Sequence, residues 1–282
     1  MQVEQKSDVV RRIVRESRMS GRTVGFVPTM GALHDGHVSL MEAAVNNGDF
    51  CVASIFVNPT QFGPNEDFSR YPRTLEDDLQ RCREAGVDLV FVPETSEMYL
   101  PDAQTEVRVT SLTTVLEGAI RPGHFSGVTT VVAKLFHIAE PDRAYFGQKD
   151  FQQQLVIRQM VRDLSWGLEI VTCPIVRDPD GLAMSSRNRY LTAAERNAAL
   201  VLSRSLKVAV ELSEQETTTA EQVAERVSLL IGAEPDVVPD YAVVVDPETL
   251  HTASGRPAEA VVLVAARLGK TRLIDNQILR FR

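Results

Sequence analysis

The chain is poor in the residues that mark several protein classes. Its three cysteines among 282 residues, Cys51, Cys82 and Cys173, lie far apart and form no C-x-x-C pair. This spacing offers no cysteine-based zinc site, and the odd number argues against a framework of disulfides. Because Cys51 lies in an apolar run, we expect it to be a small buried side chain rather than a catalytic thiol.

Long apolar runs and an excess of positive charge are also absent from the sequence. No run approaches the roughly 18 apolar residues of a membrane-spanning helix. The charged segment 1–17 lacks an apolar centre, so a secretory signal is not expected there and we expect a cytoplasmic protein. Thirty basic against thirty-eight acidic residues give a net charge of −8, which disfavours binding to nucleic acid or to an anionic membrane.

What the sequence does contain is the pattern of an α/β protein. Hydrophobic residues make up 44% of the chain and charged residues 24%, as is ordinary for a globular protein. Apolar strands are predicted at 23–31, 50–59, 87–93, 143–147 and 168–176, and helices at 3–18, 38–47, 74–86, 127–140 and 150–164. Strands that are apolar on both faces and alternate with helices predict a Rossmann-like parallel sheet.

The pattern changes after residue 176. A polar, turn-rich stretch leads into helices predicted at 192–215 and 219–232, and three short strands follow them. We therefore predict two domains. Residues 1–176 form the Rossmann-like domain, and residues 177–282 form a smaller α+β domain whose antiparallel sheet closes over the site.

The most informative stretch is PTMGALHDGH at 28–37, between a predicted strand and the next helix. Open parallel sheets bind ligands at the carboxyl ends of their strands, where the N–H groups of the following helix point toward the ligand. Gly31 and Gly36 permit close backbone approach, and His34 and His37 offer donors to phosphate oxygens. From the residues alone, two alternatives stay open: the histidines cap a turn, or they chelate a metal.

Two further stretches offer groups suited to an anion. In FGQKDFQQ, at 146–153, Lys149 lies at a helix start, where a cation opposes the helix dipole unless an anion is bound. In MSSRNRY, at 184–190, hydroxyls and guanidinium groups lie close together, as in a phosphate-binding loop. A solvated surface lysine and a helix cap with solvated arginines are the structural alternatives.

Neutral amides and one more loop complete the candidate groups. Asn58 and Gln61 directly follow an apolar strand, and their amides suit the hydroxyl and carboxylate groups of a small substrate. The loop RPGHFSG at 121–127 is a further candidate for contact with an anion.

These motifs, together with YPRTLEDDL and AARLGKTRLIDN, closely resemble those of the pantoate–β-alanine ligases in order and spacing. The resemblance covers nearly the whole chain. HDGH and MSSRN are similar to the histidine signature and the mobile phosphate loop of the wider superfamily, which comprises cytidylyltransferase-like nucleotidyltransferases and class I aminoacyl-tRNA synthetases.

The resemblance implies an ATP-dependent ligase with a nucleotide- and pantoate-binding first domain. Its implied partners are ATP, (R)-pantoate and β-alanine, its implied intermediate is pantoyl adenylate, and its products include AMP and diphosphate. Mg²⁺ is expected with ATP, and the family commonly forms homodimers. From the residues alone, a nucleotidyltransferase that stops at an adenylylated product and a non-catalytic nucleotide sensor stay open as alternatives.

The resemblance also implies roles for residues at matching positions. The catalytic candidates are His34, His37, Lys149 and Arg187, with His37 as a proton donor. ATP contacts are expected from Met30, Gly31, Ala32, Leu33, His34, Asp35, Gly36, His37, Gly147, Gln148, Lys149, Asp150, Val176, Met184, Ser185, Ser186 and Arg187. Substrate contacts are expected from Asn58, Gln61 and Gln153, and a Mg²⁺ contact from Asp77, for which a solvated acidic helix face is the alternative. Because Gln153 follows Lys149 at a spacing of four, the two side chains are expected on one face of a helix.

Overall fold

A computed structural model describes residues 1–64 and 66–281 of the chain. The residues fall into two compact units. The first comprises Met1–Gln148 with Gln152–Pro174, and the second comprises Lys149–Phe151 with Ile175–Arg282. The division predicted at residue 176, and the roles given to its two parts, stay predictions.

The first unit is built on a parallel sheet of six strands. In chain order these are β1 (Gln2–Glu4), β2 (Val24–Thr29), β3 (Phe50–Ile55), β4 (Leu89–Phe91), β5 (Arg143–Gly147) and β6 (Glu169–Cys173). The helices of this part of the chain are α1 (Ser7–Met19), α2 (Asp35–Asn46), α3 (Leu75–Glu84), α4 (Thr95–Met98), α5 (Glu117–Ile120), α6 (His124–Ala139) and α7 (Phe151–Asp163). Every neighbouring pair of strands is parallel, which confirms the predicted α/β class.

The strand order places two of the candidate segments at one point of the sheet. The order is β1-β4-β3-β2-β5-β6, so the chain moves outward in one direction after β2 and in the other after β5. These two strands are neighbours, and open α/β sheets bind ligands in the crevice beyond such a pair. The segments that follow Thr29 and Gly147 both begin at this crevice.

The amino-terminal segment differs from its prediction. One helix was expected over 3–18, but the chain first forms β1, which pairs with β4 at the edge of the sheet, and α1 begins only at Ser7. β1 has three residues, two of them exposed. It therefore lacks the apolar run by which the other strands are recognised in the sequence.

Buried apolar side chains fill the space between the sheet and its helices. Ala53 and Val90 of the strands pack with Met41 of α2 and with Cys51 and Cys82. All three cysteines are free and buried, as expected for Cys51, and burial raises the pKa of Cys82 to about 12. These thiols are therefore structural side chains rather than nucleophiles.

The second unit carries the smaller antiparallel sheet that the sequence predicts. Its strands are β7 (Val237–Val245), β8 (Ala260–Leu268) and β9 (Thr271–Leu279), with β8 in the centre. Two helices, α8 (Ala193–Ser213) and α9 (Ala220–Gly232), share one apolar core with this sheet, and both begin at a capping box. Across the described residues of both units, no helix is long and apolar enough to cross a membrane.

Gly127 marks a place where α6 comes very close to the turn after β3. A Cβ atom at this position would lie 2.4 Å from the Thr60 carbonyl oxygen and 2.6 Å from the Gln61 nitrogen. Within a helix, replacing glycine by alanine normally raises stability by about 1 kcal/mol. At Gly127 we expect a loss of stability instead, because the rigid backbone at Thr60 and Gln61 leaves no room for the new methyl group. Gly127→Ala should lower the free energy of unfolding in urea by about 1–3 kcal/mol.

The matched control is Gly232→Ala at the end of α9, where nothing lies within 4 Å of the added Cβ. This variant should be neutral or slightly stabilising. Equal losses in the two variants would show that the close contact at Gly127 is not the cause.

Candidate active site

The turn that follows β2 is held by the buried carboxylate of Asp78. Its two oxygens accept hydrogen bonds from the Ala32 nitrogen at 3.0 Å and the Leu33 nitrogen at 2.8 Å. The Thr74 hydroxyl donates a third bond at 3.2 Å. Asp78 is 2% exposed. Burial of a carboxylate is costly, and these three donors offset that cost.

The backbone of this turn explains why it needs such an anchor. Ala32 has a φ of 50°, in the left-handed region, which costs a residue with a side chain on the order of 1–3 kcal/mol. Gly31 has a φ of 79°, and a Cβ atom there would lie 2.9 Å from a carboxylate oxygen of Asp78. The geometry therefore requires glycine at position 31 and a hydrogen-bond acceptor at position 78.

The acidic candidate predicted from the sequence, Asp77, lies one residue away from this anchor. Asp77 is exposed, whereas Asp78 faces the interior with Cys82, one turn further along α3. The helical spacing of Asp78, Leu79 and Cys82 was the available signal, because a charged residue within a buried stripe needs partners. The Mg²⁺ contact of Asp77 stays a prediction.

The two histidines of the turn cap α2. His34 Nδ1 accepts a hydrogen bond from the Gly36 nitrogen at 3.2 Å, and His37 Nδ1 accepts one from the His34 nitrogen at 3.3 Å. The helix therefore begins at Asp35, three residues earlier than predicted. Of the alternatives left open by the sequence, the structure shows capping: Nδ1 of both His34 and His37 accepts a backbone hydrogen bond at the start of α2.

Capping also sets which ring nitrogen of His34 and His37 carries the proton. Because each Nδ1 accepts a hydrogen, the neutral rings are protonated at Nε2. The ring centres lie 4.1 Å apart, so the two imidazoles form one unit at the start of α2. An Nε2–H group is a donor of the kind that phosphate oxygens accept, and the capping role and the expected phosphate role are therefore compatible.

The two amides after β3 differ in how they are engaged. Asn58 is 1% exposed; its oxygen accepts from the Tyr99 hydroxyl at 2.8 Å, and its nitrogen donates to Gln61 Oε1 at 3.1 Å and to the Gly127 carbonyl at 3.2 Å. Gln61 Nε2 in turn lies 3.1 Å from the sulfur of Met30. Asn58 thus orients Gln61, and a direct contact of Asn58 with substrate stays a prediction.

His124 connects Gln61 to an ion pair. Its Nδ1 lies 2.9 Å from the Gln61 carbonyl oxygen, and its Nε2 lies 3.0 Å from Arg121 Nη1. Arg121 also donates two bonds to Glu66, at 2.6 and 2.7 Å. An imidazole that donates from Nδ1 and accepts at Nε2 is neutral, and burial together with the Arg121 charge lowers the pKa of His124 to about 4. Arg121, a candidate for contact with an external anion, is engaged with Glu66 of this chain.

Three consecutive glutamines lie in the first turn of α7, and the structure separates their roles. Gln152 bonds three backbone groups within residues 112–117, and Gln154 accepts from the Arg158 guanidinium. Gln153 is half-buried, and its side chain makes no hydrogen bond to any other residue between 1 and 64 or between 66 and 281. Within the described parts of the chain, Gln153 is therefore the one member of this run whose amide is not bonded to another residue.

Lys149 lies in a 3-10 turn, Gln148–Asp150, that directly precedes α7. The helix begins at Phe151, one residue later than predicted. The shared face of Lys149 and Gln153 stays a prediction. The ammonium group of Lys149 lies 3.9 Å from the carboxylate of Asp150.

Two more of the predicted ATP-contact segments meet within the second unit. The Met184 nitrogen donates to the Val176 carbonyl at 3.0 Å. Ser185 Oγ accepts from the Arg187 nitrogen at 3.2 Å and caps the 3-10 helix Ser186–Tyr190. The capping alternative is thus realised at Ser185 as well, and the contacts of these residues with ATP stay predictions.

A cavity of about 390 Å³ opens where β2, β3 and β4 end. Its wall includes Met30, Gly31, Phe56 and Asp78. Concave sites that are mainly apolar with a few polar groups are the usual form of small-molecule sites. The Asp78-anchored turn therefore borders this cavity, to which Met30 and Gly31 of the predicted ATP-contact residues contribute.

Comparison with known proteins identifies the family. The profile of the Pantoate-beta-alanine ligase family matches residues 2–278. The pantothenate synthetase of Acetivibrio thermocellus is 52% identical over 277 residues, which cover 98% of each chain. This chain belongs to the pantoate–β-alanine ligase family. It is therefore a ligase, and the recognition from its motifs is confirmed.

Solved structures of this family share the fold. The pantothenate synthetase of Thermus thermophilus gives a TM-score of 0.93 at 47% identity, covering 98% of this chain and 99% of that one. The pantoate-beta-alanine ligase of Francisella tularensis, complexed with "Beta-gamma ATP and Beta-alanine", gives a TM-score of 0.80 at 34% identity, with coverage of 99% and 97%.

The Asp78 anchor can be tested by an isosteric change. Asp78→Asn turns an amide NH₂ toward a backbone N–H, so one acceptor is lost. We expect the free energy of unfolding to fall by about 2–3 kcal/mol, since a hydrogen bond to a charged group contributes about 1.5–3 kcal/mol. Glu76→Gln, exposed in the same helix, should change it by less than about 0.5 kcal/mol. Equal stability of the two variants in denaturant unfolding would contradict the anchor.

The neutral state of His124 predicts a pH dependence of stability. Its pKa is about 4 in the folded chain, against about 6.5 for an unperturbed histidine. Between these values the unfolded state binds more protons, so stability falls as the pH falls through this window. Between pH 7 and pH 4.5, His124→Gln should lose less unfolding free energy than the wild type.

His137→Gln, at an exposed position of the same helix, is the control for the His124 experiment. It should retain the wild-type dependence on pH. If His124→Gln retains it too, the imidazole is not held neutral in the folded chain.

Proposed function

We propose that this ligase joins (R)-pantoate to β-alanine at the crevice beside β2, at the expense of ATP and through pantoyl adenylate. The observation that carries the proposal is the turn after β2. Asp78 holds its backbone, and it presents His34, His37 and the amino terminus of α2 where open α/β sheets bind nucleotides. The family to which the chain belongs supplies the reaction class.

In the first step, a carboxylate oxygen of pantoate attacks the α-phosphorus of ATP. The bond between that phosphorus and the bridging oxygen breaks, and diphosphate leaves. This step needs alignment and hydrogen-bond donors around the phosphates rather than a protein nucleophile. In the proposal the Nε2–H groups of His34 and His37 act on phosphate oxygens, together with Lys149, Ser185, Ser186 and Arg187, and Asp150 binds the ribose.

In the second step, the amine of β-alanine attacks the acyl carbon of pantoyl adenylate. The bond between this carbon and the phosphate-linked oxygen breaks, AMP leaves with that oxygen, and the nitrogen loses a proton. The proton lost by the nitrogen is taken up by the phosphate of the departing AMP. His37 is proposed to donate a hydrogen bond from Nε2–H to the departing oxygen, since its capping bond holds the hydrogen at Nε2. The amide bond of pantothenate is the product.

Gln61 and Gln153 are the proposed contacts of pantoate, with Gln61 also near β-alanine. Neutral amides suit this substrate because its carboxylate must remain nucleophilic. A lysine at the carboxylate would stabilise the ground state more than the transition state and slow the attack. The network of Asn58, His124 and Met30 around Gln61 supports such a fixed orientation.

Mg²⁺ is proposed to reach the site with ATP. Within residues 1–64 and 66–281, no three His, Cys, Asp or Glu side chains converge as a metal site would require. Mg²⁺ commonly keeps several waters and binds one or two carboxylates beside phosphate oxygens. The exposed carboxylate of Asp77 is the proposed protein ligand of this kind. The ion would neutralise charge on the phosphates. A homodimer, a cytoplasmic location and closure of the second domain over the site complete the proposal.

The exchange of labelled diphosphate into ATP tests the order of the two steps. It should require pantoate and Mg²⁺ and should proceed without β-alanine, because the first step is reversible on its own. His37→Ala should lower the exchange rate by about 10²–10³-fold, the usual loss when one transition-state donor is removed. Exchange that appears only with β-alanine would contradict the adenylate route.

The two other functional classes give different results in the same assay. A nucleotide sensor would bind ATP and show no exchange. A nucleotidyltransferase would show exchange but would release no AMP when β-alanine is added, since the adenylyl group stays on its product.

The contact of Gln153 with pantoate predicts a selective loss of affinity. Gln153→Ala should weaken pantoate binding by about 1–3 kcal/mol, the cost of leaving a buried polar group unpaired. ATP binding should change much less. Gln159→Ala, further along α7 and bonded to Asp163, is the control and should affect neither ligand. Separate titrations of pantoate and ATP decide the matter, and equal weakening of both by Gln153→Ala would falsify the assignment.

A further inference from the structure

The strand β9 reaches the backbone of Lys149 through a buried amide. Asn276 Nδ2 donates to the Lys149 carbonyl oxygen at 3.0 Å, and Asn276 is 1% exposed. Lys149–Phe151 group with the second unit, although the residues before and after them belong to the first. The 3-10 turn that carries Lys149 is therefore bonded to β9 at the lysine itself.

Asn276 is itself fixed by the residue that precedes it. Asp275 Oδ1 accepts from the Asn276 nitrogen at 2.8 Å, and the Arg177 guanidinium donates to both Asp275 oxygens, at 2.6 and 3.0 Å. Asp275 is 3% exposed, so its charge is buried and paired. A two-bond arginine–carboxylate contact of this kind fixes direction as well as distance.

Arg177 connects two other predicted ATP-contact segments, those of Val176 and Met184, to β9. It directly follows Val176, forms an antiparallel bridge with Ala183, and donates to the Gly181 carbonyl at 3.2 Å. The bond between Met184 and Val176 continues this bridge. Three segments assigned to ATP by family resemblance, those of Lys149, Val176 and Met184, are thus connected to Asp275 and Asn276 of β9.

We propose that Asn276 is a positioning residue for Lys149. Its amide fixes the Lys149 carbonyl, and this sets the point from which the flexible lysine side chain reaches the phosphates of ATP. A 3-10 turn of three residues has few backbone bonds of its own, so an outside donor determines its position. The inference rests on the proposed role of Lys149 in adenylate formation, where a shift of about 1 Å costs on the order of 10²-fold in rate.

A double-mutant cycle on adenylate formation tests this coupling. The measurement is the single-turnover release of diphosphate from ATP with saturating pantoate and Mg²⁺, in full-length protein. Asn276→Asp keeps the size of the side chain but removes the N–H donor. It should slow diphosphate release by about 10²-fold in the wild-type background, the loss that a displacement of about 1 Å produces, and leave pantoate affinity unchanged. In the Lys149→Ala background it should cause no further loss, because its effect acts through Lys149.

The control is Gln277→Ala, one residue further along β9, whose amide bonds only the Ile278 carbonyl among the residues that the structure describes. It should leave diphosphate release unchanged. Asn276→Ala removes the same donor without adding a charge, and it should reproduce the result of Asn276→Asp. Thermal midpoints of all variants show whether each protein is folded.

Each other outcome overturns the inference in a recognisable way. An equal slowing in both backgrounds means that Asn276 acts independently of Lys149. If both Asn276 variants fold and release diphosphate at the wild-type rate, Asn276 has no positioning role. Loss of folded protein in both variants would mean that Asn276 is required for folding and not for positioning Lys149. If Lys149→Ala alone keeps the wild-type rate, the proposed role of Lys149 fails, whereas absence of diphosphate release from the wild type is the failure of the proposed function itself.

Discussion

The carboxylate of Asp78 is the constraint on which the ligand-binding edge of the sheet depends. It takes the backbone N–H groups of Ala32 and Leu33 and so holds a turn in which Ala32 has a positive φ. Because the turn is held, α2 begins at once beyond it, and His34 and His37 complete its first turn. A single buried acid in α3 thereby fixes the strand end, the helix start and the two histidines relative to one another.

Side chains in the first unit divide into those that build the site and those that remain available to a ligand. Asn58 and Gln152 are buried amides whose bonds go to neighbouring residues. Gln153, between two such residues, has no partner of this kind within the described parts of the chain. Gln61 is held at both its backbone carbonyl and its side-chain amide, as the proposed contact with pantoate requires. These side chains carry the same amide group, so their hydrogen-bond partners, and not their chemistry, distinguish the structural amides from those available to a ligand.

The sequence predicted the parallel sheet, the antiparallel sheet and the turns that carry the candidate residues, because apolar runs and glycine-containing motifs are local signals. It missed β1, which is too short to form such a run, and it began α7 at residue 150, which belongs to a 3-10 turn. It also missed Asp78, which lies 46 positions along the chain from Ala32. Contacts over such distances depend on tertiary packing, which no local pattern encodes.

Transfer of an oxygen isotope tests the proposed adenylation most directly, because a carboxylate oxygen of pantoate is proposed to attack the α-phosphorus of ATP. Pantoate carrying ¹⁸O in both carboxylate oxygens is converted with ATP and β-alanine, and the products are examined by mass spectrometry. The account predicts one ¹⁸O in each AMP, one in the amide carbonyl of pantothenate, and none in diphosphate. AMP without label, or label in any other phosphate product, would contradict attack at the α-phosphorus.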